Sequence, residues 1–164
     1  MVAPRREPVR TLPIRCTMVS IVALRGTSDA TQMLVLQRAS AYLRGAWSYV
    51  AGHIKAGETA WQAALRELHE ETGLAPTELY ATSFCEQVYF AGEDCIETVP
   101  AFVARIRGDA AVRLNPEHAA FRWLMLDAAA DTVPFGSQRD LLAHIQREFI
   151  ARTPSPFLRI AVPA

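Results

Sequence analysis

Residues 52–74 read G-H-I-K-A-G-E-T-A-W-Q-A-A-L-R-E-L-H-E-E-T-G-L. Glu67, Glu70 and Glu71 stand at i, i+3 and i+4, so on a helix they share one face. Like charges at that spacing repel each other. They also fall in the last turns of the helix, where the macrodipole disfavours anions. Each effect costs on the order of 0.5 kcal/mol, and both act in the same direction. A bound cation relieves both. Carboxylates with no Cys or His among them suit a hard, oxygen-seeking divalent ion such as Mg²⁺ or Mn²⁺. The plainer alternative is a row of solvated glutamates beside Arg66.

A helix must present these groups, and its ends are legible. Thr59-Ala-Trp-Gln62 is a capping-box pattern, so the helix starts at Thr59. Gly73 suits a left-handed C-terminal cap and Pro76 follows, so the helix stops near Thr72. Trp61, Ala64, Leu65 and Leu68 form an apolar stripe that faces a core.

The same segment fills every specified position of the pattern G-x5-E-x7-R-E-U-x-E-E-x-G-U, where U is a bulky apolar residue. Gly52, Glu58, Arg66, Glu67, Glu70, Glu71 and Gly73 are its fixed members, with Leu68 and Leu74 as the apolar ones. A chance match somewhere in the chain has odds on the order of 10⁻⁷ at average residue usage. The chain therefore resembles the Nudix hydrolases. Members of that family hydrolyse compounds in which a nucleoside diphosphate is linked to another group, and the box holds a divalent metal against the pyrophosphate. The resemblance implies that Glu67, Glu70 and Glu71 bind metal and carry the catalysis, and that the carbonyl of Gly52 is a further metal ligand. It implies that Arg66 orients the acidic cluster and that Glu58 is a structural partner in the loop. Metal ions neutralise a pyrophosphate and activate a water for in-line attack, while a carboxylate takes the water proton. Glu67 and Glu117 both remain open as that base.

The rest of the chain must supply the scaffold. Ile14–Leu24 has strand character, strongest from Met18 on, and Gln32–Gln37 completes a hairpin across the turn at 25–30. Trp47–Ala51 leads into the box. Leu79–Val88 and Glu97–Ile106 read as strands around the turn Ala91–Asp94, and Phe121–Leu126 as another. Ser137-Gln-Arg-Asp140 is a second capping pattern, opening a helix with Leu141, Ile145 and Phe149 on one face. Together with the family resemblance this order implies an α/β fold, the Nudix α/β/α sandwich with a mixed β-sheet. Residues 1–11 read as a flexible N-terminal tail, 12–152 as the hydrolase domain and 153–164 as a C-terminal extension.

A second, looser resemblance concerns the substrate. Glu117-His-Ala-Ala-Phe-Arg-Trp-Leu124, Asp127-Ala-Ala-Ala130 and Gln138-Arg-Asp-Leu-Leu142 resemble the dihydroneopterin triphosphate pyrophosphohydrolases, first grouped as dATP pyrophosphohydrolases. The entry Trp47-Ser-Tyr-Val-Ala-Gly-His-Ile54 is similar in plan. That implies pyrophosphate release from a pterin or nucleoside triphosphate, with Glu117 as an extra metal-site and catalytic carboxylate. ADP-ribose, nucleotide sugars and dinucleoside polyphosphates are the rival substrates. A non-catalytic ligand-binding module is the rival class, against which the intact box argues.

Further contacts are weighed against blander readings. Arg38 and Arg44 could meet phosphates by forked hydrogen bonds or stand as solvated surface arginines. His53 could touch a phosphate or fill the loop. Tyr89 could stack on a flat ring or pack in the core. Trp47 and Trp123 read as packing residues, and Arg139 as an uncommon cation at a helix start.

The 164 residues suffice for one domain, and the formal net charge is zero. That balance gives no reason to expect a nucleic-acid partner. No apolar run approaches membrane-spanning length, so no membrane partner is expected. Met1–Thr11 lacks the apolar stretch of a signal peptide. Cys16, Cys85 and Cys95 are not at metal spacing, and the simplest reading is a reduced, cytoplasmic protein with Cys16 buried in a strand. A monomer or homodimer acting on a small molecule is expected.

Overall fold

The computed structural model describes residues 9–162. Its strands are β1 (Ile14–Arg15), β2 (Met18–Arg25), β3 (Gln32–Arg38), β4 (Trp47–Ser48), β5 (Val50–His53), β6 (Glu78–Phe90), β7 (Cys95–Arg105), β8 (His118–Met125) and β9 (Arg159–Ile160). They form one mixed sheet in the order β4-β3-β2-β7-β6-β9, with β1 also beside β7, β5 beside β2 and β8 beside β3. β2 and β7 run parallel, Ser20 opposite Ala101, whereas β2–β5, β3–β8 and β6–β7 are antiparallel.

Helix α1 (Ala60–Thr72) covers one face of the sheet; α2 (Leu126–Ala130) and α3 (Gly136–Ile145) cover the other. β2 explains why both faces close. Val19, Ile21 and Ala23 pack toward α1, while Val22 and Leu24 pack toward α3. A strand apolar on both sides is stable only between two layers. Each fully buried Leu, Ile or Phe contributes about 1.5–3 kcal/mol of transfer free energy. This is the expected α/β/α sandwich.

α1 follows its sequence signals closely. Thr59 is the N-cap, with reciprocal bonds to Gln62, and Gly73 closes the helix at φ 69°. Trp61, Ala64, Leu65 and Leu68 all join the α1-side core. Three expectations change. The strand expected over 14–24 breaks after Arg15, and Cys16 is exposed at the break rather than buried. Glu97, fully buried on β7, causes the break. Its Oε1 accepts from both the N–H of Thr17 and its hydroxyl, the latter at 2.8 Å, taking the chain out of simple strand pairing. The freed Thr17 carbonyl accepts from Ile54 N–H at 2.8 Å, tying β2 to the loop after Gly52.

Helix α3 starts at Gly136, so Ser137 is not its cap. Gln138 Oε1 accepts from Phe135 N–H at 3.2 Å instead, and Ser137 Oγ turns to buried Glu86 at 3.3 Å. Arg139 donates to the Val133 carbonyl at 3.1 Å. Leu141, Ile145 and Phe149 are buried on one side, as expected. The last turn, Gln146–Ile150, is a π-helix, and Phe149 meets Tyr80 edge-on at 5.9 Å.

Of the expected N-terminal tail, residues 1–8 lie outside the described residues. Beyond residue 152, β9 pairs with β6, Leu79 opposite Ile160. Among the described residues no helix is long and apolar enough to cross a membrane.

Candidate active site

Arg66, in the middle of α1, is the hub of the box. Its Nε donates to Glu58 Oε1 at 2.6 Å, and Nη2 donates to Glu58 Oε2 at 3.0 Å and to the His53 carbonyl at 2.8 Å. Nη1 donates to Glu67 Oε1 at 2.7 Å and Glu70 Oε2 at 3.1 Å. A guanidinium has five N–H groups, and here all five are engaged. Arg66 thus fastens the β5–α1 loop through Glu58 and His53 and gathers two helix carboxylates. The Arg66 guanidinium and the Lys55 N–H hold the Glu58 carboxyl well below its usual range, at about 2. Lys55 Nζ reaches Glu70 Oε1 at 3.5 Å.

Gly52 shows why the box needs glycine there. A Cβ at that position would lie 2.1 Å from Glu67 Cδ. The strand and the glutamate side chain therefore approach more closely than any larger residue allows.

Glu71 is in a different situation. It is only 4% exposed, and its Oε2 has no hydrogen-bond partner among the described residues. Burial, followed by the charges of Glu67 and Glu117, pushes its carboxyl up to about 8, with Arg38 pulling the other way. An orphaned, buried carboxylate oxygen is costly unless something else binds it. His118 Nε2 stands 3.6 Å from it, and burial and Arg38 hold its imidazole below the usual pKa.

This donor set fits a hard divalent ion. It consists of carboxylate oxygens and the Gly52 backbone, with one buried oxygen lacking any partner. As they stand, no three acidic, His or Cys side chains converge as an ion cage among the described residues. Glu67 Oε1 and Glu70 Oε2 accept from Arg66, and Glu70 Oε1 from Lys55, so these two carboxylates already share cationic partners.

The remaining sequence candidates are placed unevenly. Glu117 is exposed on the loop before β8, and its charge acts on both Glu71 and His118. Its carbonyl accepts from Ala39 N–H at 2.8 Å, which joins that loop to the end of β3. Arg38 is half-buried there and donates to the Tyr42 carbonyl at 3.1 Å. Arg44 is exposed on the loop after β3 and makes no ion pair among the described residues. His53 turns its side chain to solvent while its carbonyl serves Arg66. Tyr89, 55% exposed, donates to Asp94 Oδ1 at 2.9 Å at the tip of the β6–β7 hairpin. Trp47 and Trp123 pack against the two cores, as expected, beneath Arg122 and Arg25.

Sequence reasoning missed Lys55 and Asn115. Asn115 Oδ1 accepts from Glu117 N–H at 3.1 Å and stands 3.1 Å from His118 Nδ1. The Asn115-Pro116 pair is a turn signal that could have marked it. Nothing local in the sequence flags Lys55.

Comparison with known proteins decides what this arrangement is. A family profile described as NUDIX domain matches residues 15–152. The chain belongs to the NUDIX family. It is similar to the asymmetrical bis(5'-nucleosyl)-tetraphosphatase of Rattus norvegicus, 32% identical over 111 residues, covering 66% of this chain and 75% of that protein. Among solved structures, a C. elegans Ap4A hydrolase superposes with TM-score 0.69 at 23% identity, over 81% of this chain and 96% of the other. The E. coli dihydroneopterin triphosphate pyrophosphohydrolase superposes with TM-score 0.63 at 25% identity, over 86% and 99%. The chain is thus a Nudix hydrolase acting on phosphoric anhydrides. Nudix hydrolases generally use divalent metals such as Mg²⁺.

Proposed function

We propose that this Nudix hydrolase cleaves a dinucleoside polyphosphate asymmetrically, with Mg²⁺ or Mn²⁺ held by Glu67, Glu70, Glu71, Glu117 and the Gly52 carbonyl. The orphaned, buried Glu71 Oε2 carries the metal part of this reading. The likeness to the rat tetraphosphatase, which covers 75% of that protein, supports the substrate. When bound, the ion supplies charge neutralisation of the phosphates and acidifies a water. The chain's own residues do the rest. Arg66 fixes the β5–α1 loop through Glu58 and the His53 carbonyl, beside Gly52, which the Glu67 side chain approaches closely. In this reading Glu67 or Glu117 accepts the water proton. In this reading Arg38, whose charge acts on Glu71, and Arg44, His53 and Lys55 are the groups that would meet a highly charged phosphate chain.

A second reading keeps a pterin or nucleoside triphosphate as substrate, releasing pyrophosphate. It is favoured by the Glu117–Leu142 segment and by the E. coli relative, which is covered almost end to end. A hydrolysis panel with Mg²⁺ separates the two. It would hold diadenosine tetraphosphate, dihydroneopterin triphosphate, dATP, 8-oxo-dGTP, ADP-ribose and a nucleotide sugar. Production of a nucleoside mono- and triphosphate pair from the tetraphosphate, at the highest kcat/KM, is the expected result. Preferential pyrophosphate release from the pterin compound would replace this reading with the second. Tight binding with no turnover would leave a ligand-binding module.

A further inference from the structure

A second concavity lies far from the box. It has a volume of about 480 Å³ and is bounded by the β2–β3 turn, the β8–α2 junction and one face of α3. Sites that take small molecules measure about 300–1,000 Å³. Met125, in its wall, pairs with Gln32, whereas His118 beside Glu71 pairs with Arg38. The strand from Gln32 to Arg38 separates the two places by about 20 Å. They also lie on opposite faces of the sheet, the box on the α1 side and this cavity on the α3 side.

The floor of the cavity is apolar except at one atom. Leu126 and Leu142 are buried there, with Ile150 beside them. Thr31 is in the wall and, by strand alternation, shares the α3 side with Met33 and Val35. It is 2% exposed, and its Oγ1 has no hydrogen-bond partner among the described residues. A buried hydroxyl in that state is costly unless something else binds it. The rim carries both signs of charge. Arg139 donates to the Val133 carbonyl at 3.1 Å, and the rest of its fork has no partner among the described residues. Asp127 Oδ1 accepts from Ala128 N–H at 2.8 Å, while Asp29 makes no side-chain hydrogen bond among the described residues. Nor does any ion pair there join Arg139 to either carboxylate. Opposite charges that line one cavity without pairing remain open to the charges of a ligand.

We propose that this cavity binds a small zwitterion with an apolar side chain, of the α-amino acid type. Its carboxylate meets the Arg139 fork, its ammonium lies toward Asp29 and Asp127, and its side chain covers Leu126, Leu142 and Ile150. Thr31 Oγ1 gains its missing partner from one of the two charged groups. A nucleotide would bring further negative charge to a rim of two carboxylates and one guanidinium, so the cavity is not a second place for a phosphate chain. The site also accounts for Arg139. A cation near the start of a helix is unfavourable by itself, and a bound carboxylate compensates it.

Titration of the full chain with L-leucine and L-phenylalanine, followed by ¹H–¹⁵N NMR, tests this. Saturable shifts centred on Thr31, Ala143 and Gln146 are expected, with a Kd of about 1 mM or below. Phenethylamine lacks the carboxylate and 3-phenylpropionate lacks the ammonium; each should bind at least about tenfold more weakly than phenylalanine. Arg139→Gln should bring phenylalanine down to the level of phenethylamine. Thr31→Val keeps the size of the side chain and removes the orphan hydroxyl. The ligand-free variant should melt no lower than wild type, while phenylalanine binds it at least about threefold more weakly. The proposal is overturned by any of four results: no saturable shifts up to about 10 mM of either amino acid, equal binding of a one-charge analogue, tighter binding of AMP, or undiminished binding by Thr31→Val. None of these readouts passes through hydrolysis, so they stand apart from the fate of the substrate reading.

Discussion

Replacing Glu71 by Gln should stabilise the metal-free protein, and only at high pH. Glu71 is 4% exposed, and burial with its acidic neighbours raises its carboxyl from the ordinary 4.5 to about 8. An acid with a raised folded pKa binds more protons folded than unfolded between those two values. Its ionisation therefore costs stability progressively as pH climbs from about 4.5 to 8. At pH 8 that gap corresponds to about 4 kcal/mol. Gln is neutral throughout and escapes the cost. Thermal unfolding in EDTA should place Glu71→Gln within about 2 °C of wild type at pH 4.5 and roughly 10 °C above it at pH 9, at the usual conversion for a domain of this size. Saturating Mn²⁺ at pH 8 should reverse the order, because only wild type gains fully from the linked binding. A melting-temperature difference that is the same at pH 4.5 and pH 9 would refute the reasoning, since no buried ionisation would then be at stake.

Other perturbations separate the parts of the site. Gly52→Ala forces Glu67 off its place, because the new Cβ would overlap Glu67 Cδ at 2.1 Å; turnover should fall by about a hundredfold or more while circular dichroism shows an intact fold. Glu70→Gln should lower kcat by a similar order with little change in melting temperature, its side chain being 48% exposed; near-normal activity with Mg²⁺ would remove Glu70 from the metal site. Arg66→Lys keeps a charge but loses the fork, and a rise in the Mn²⁺ dissociation constant together with a fall in kcat is expected. Glu117→Gln should lower kcat more than it changes KM, by about 10- to 100-fold; an unchanged rate would return Glu117 to the solvated surface.

The box was legible because its constraints are local. A capping residue, a helical face and a terminating glycine lie within one stretch, and α1 begins and ends where Thr59 and Gly73 set it. The sandwich followed from the element order together with the resemblance that the box carries, and β2, apolar on both sides, fits it. What escaped depends on contacts distant in sequence. Cys16 looked like strand interior until the buried Glu97, 81 residues on, drew the backbone of Thr17 out of line. Ser137 looked like a cap, but Glu86 from β6 claims its hydroxyl. The contacts among Glu71, His118, Asn115 and Glu117 form where β8 returns beside β3 with a register shift. Periodicity carries no trace of such a register shift.

The saturation of Arg66 has one more consequence, for the kinds of ion that can enter. The guanidinium already gives Glu67 and Glu70 one unit of positive charge and two directed bonds, at 2.7 and 3.1 Å. A sodium or potassium ion offers no more charge than that and no comparable directionality, so it gains nothing by displacing the arginine. A divalent ion brings twice the charge and can draw on Glu71 as well. The internal cation thus sets the positive charge that an entering ion would have to exceed to draw these two carboxylates away from it.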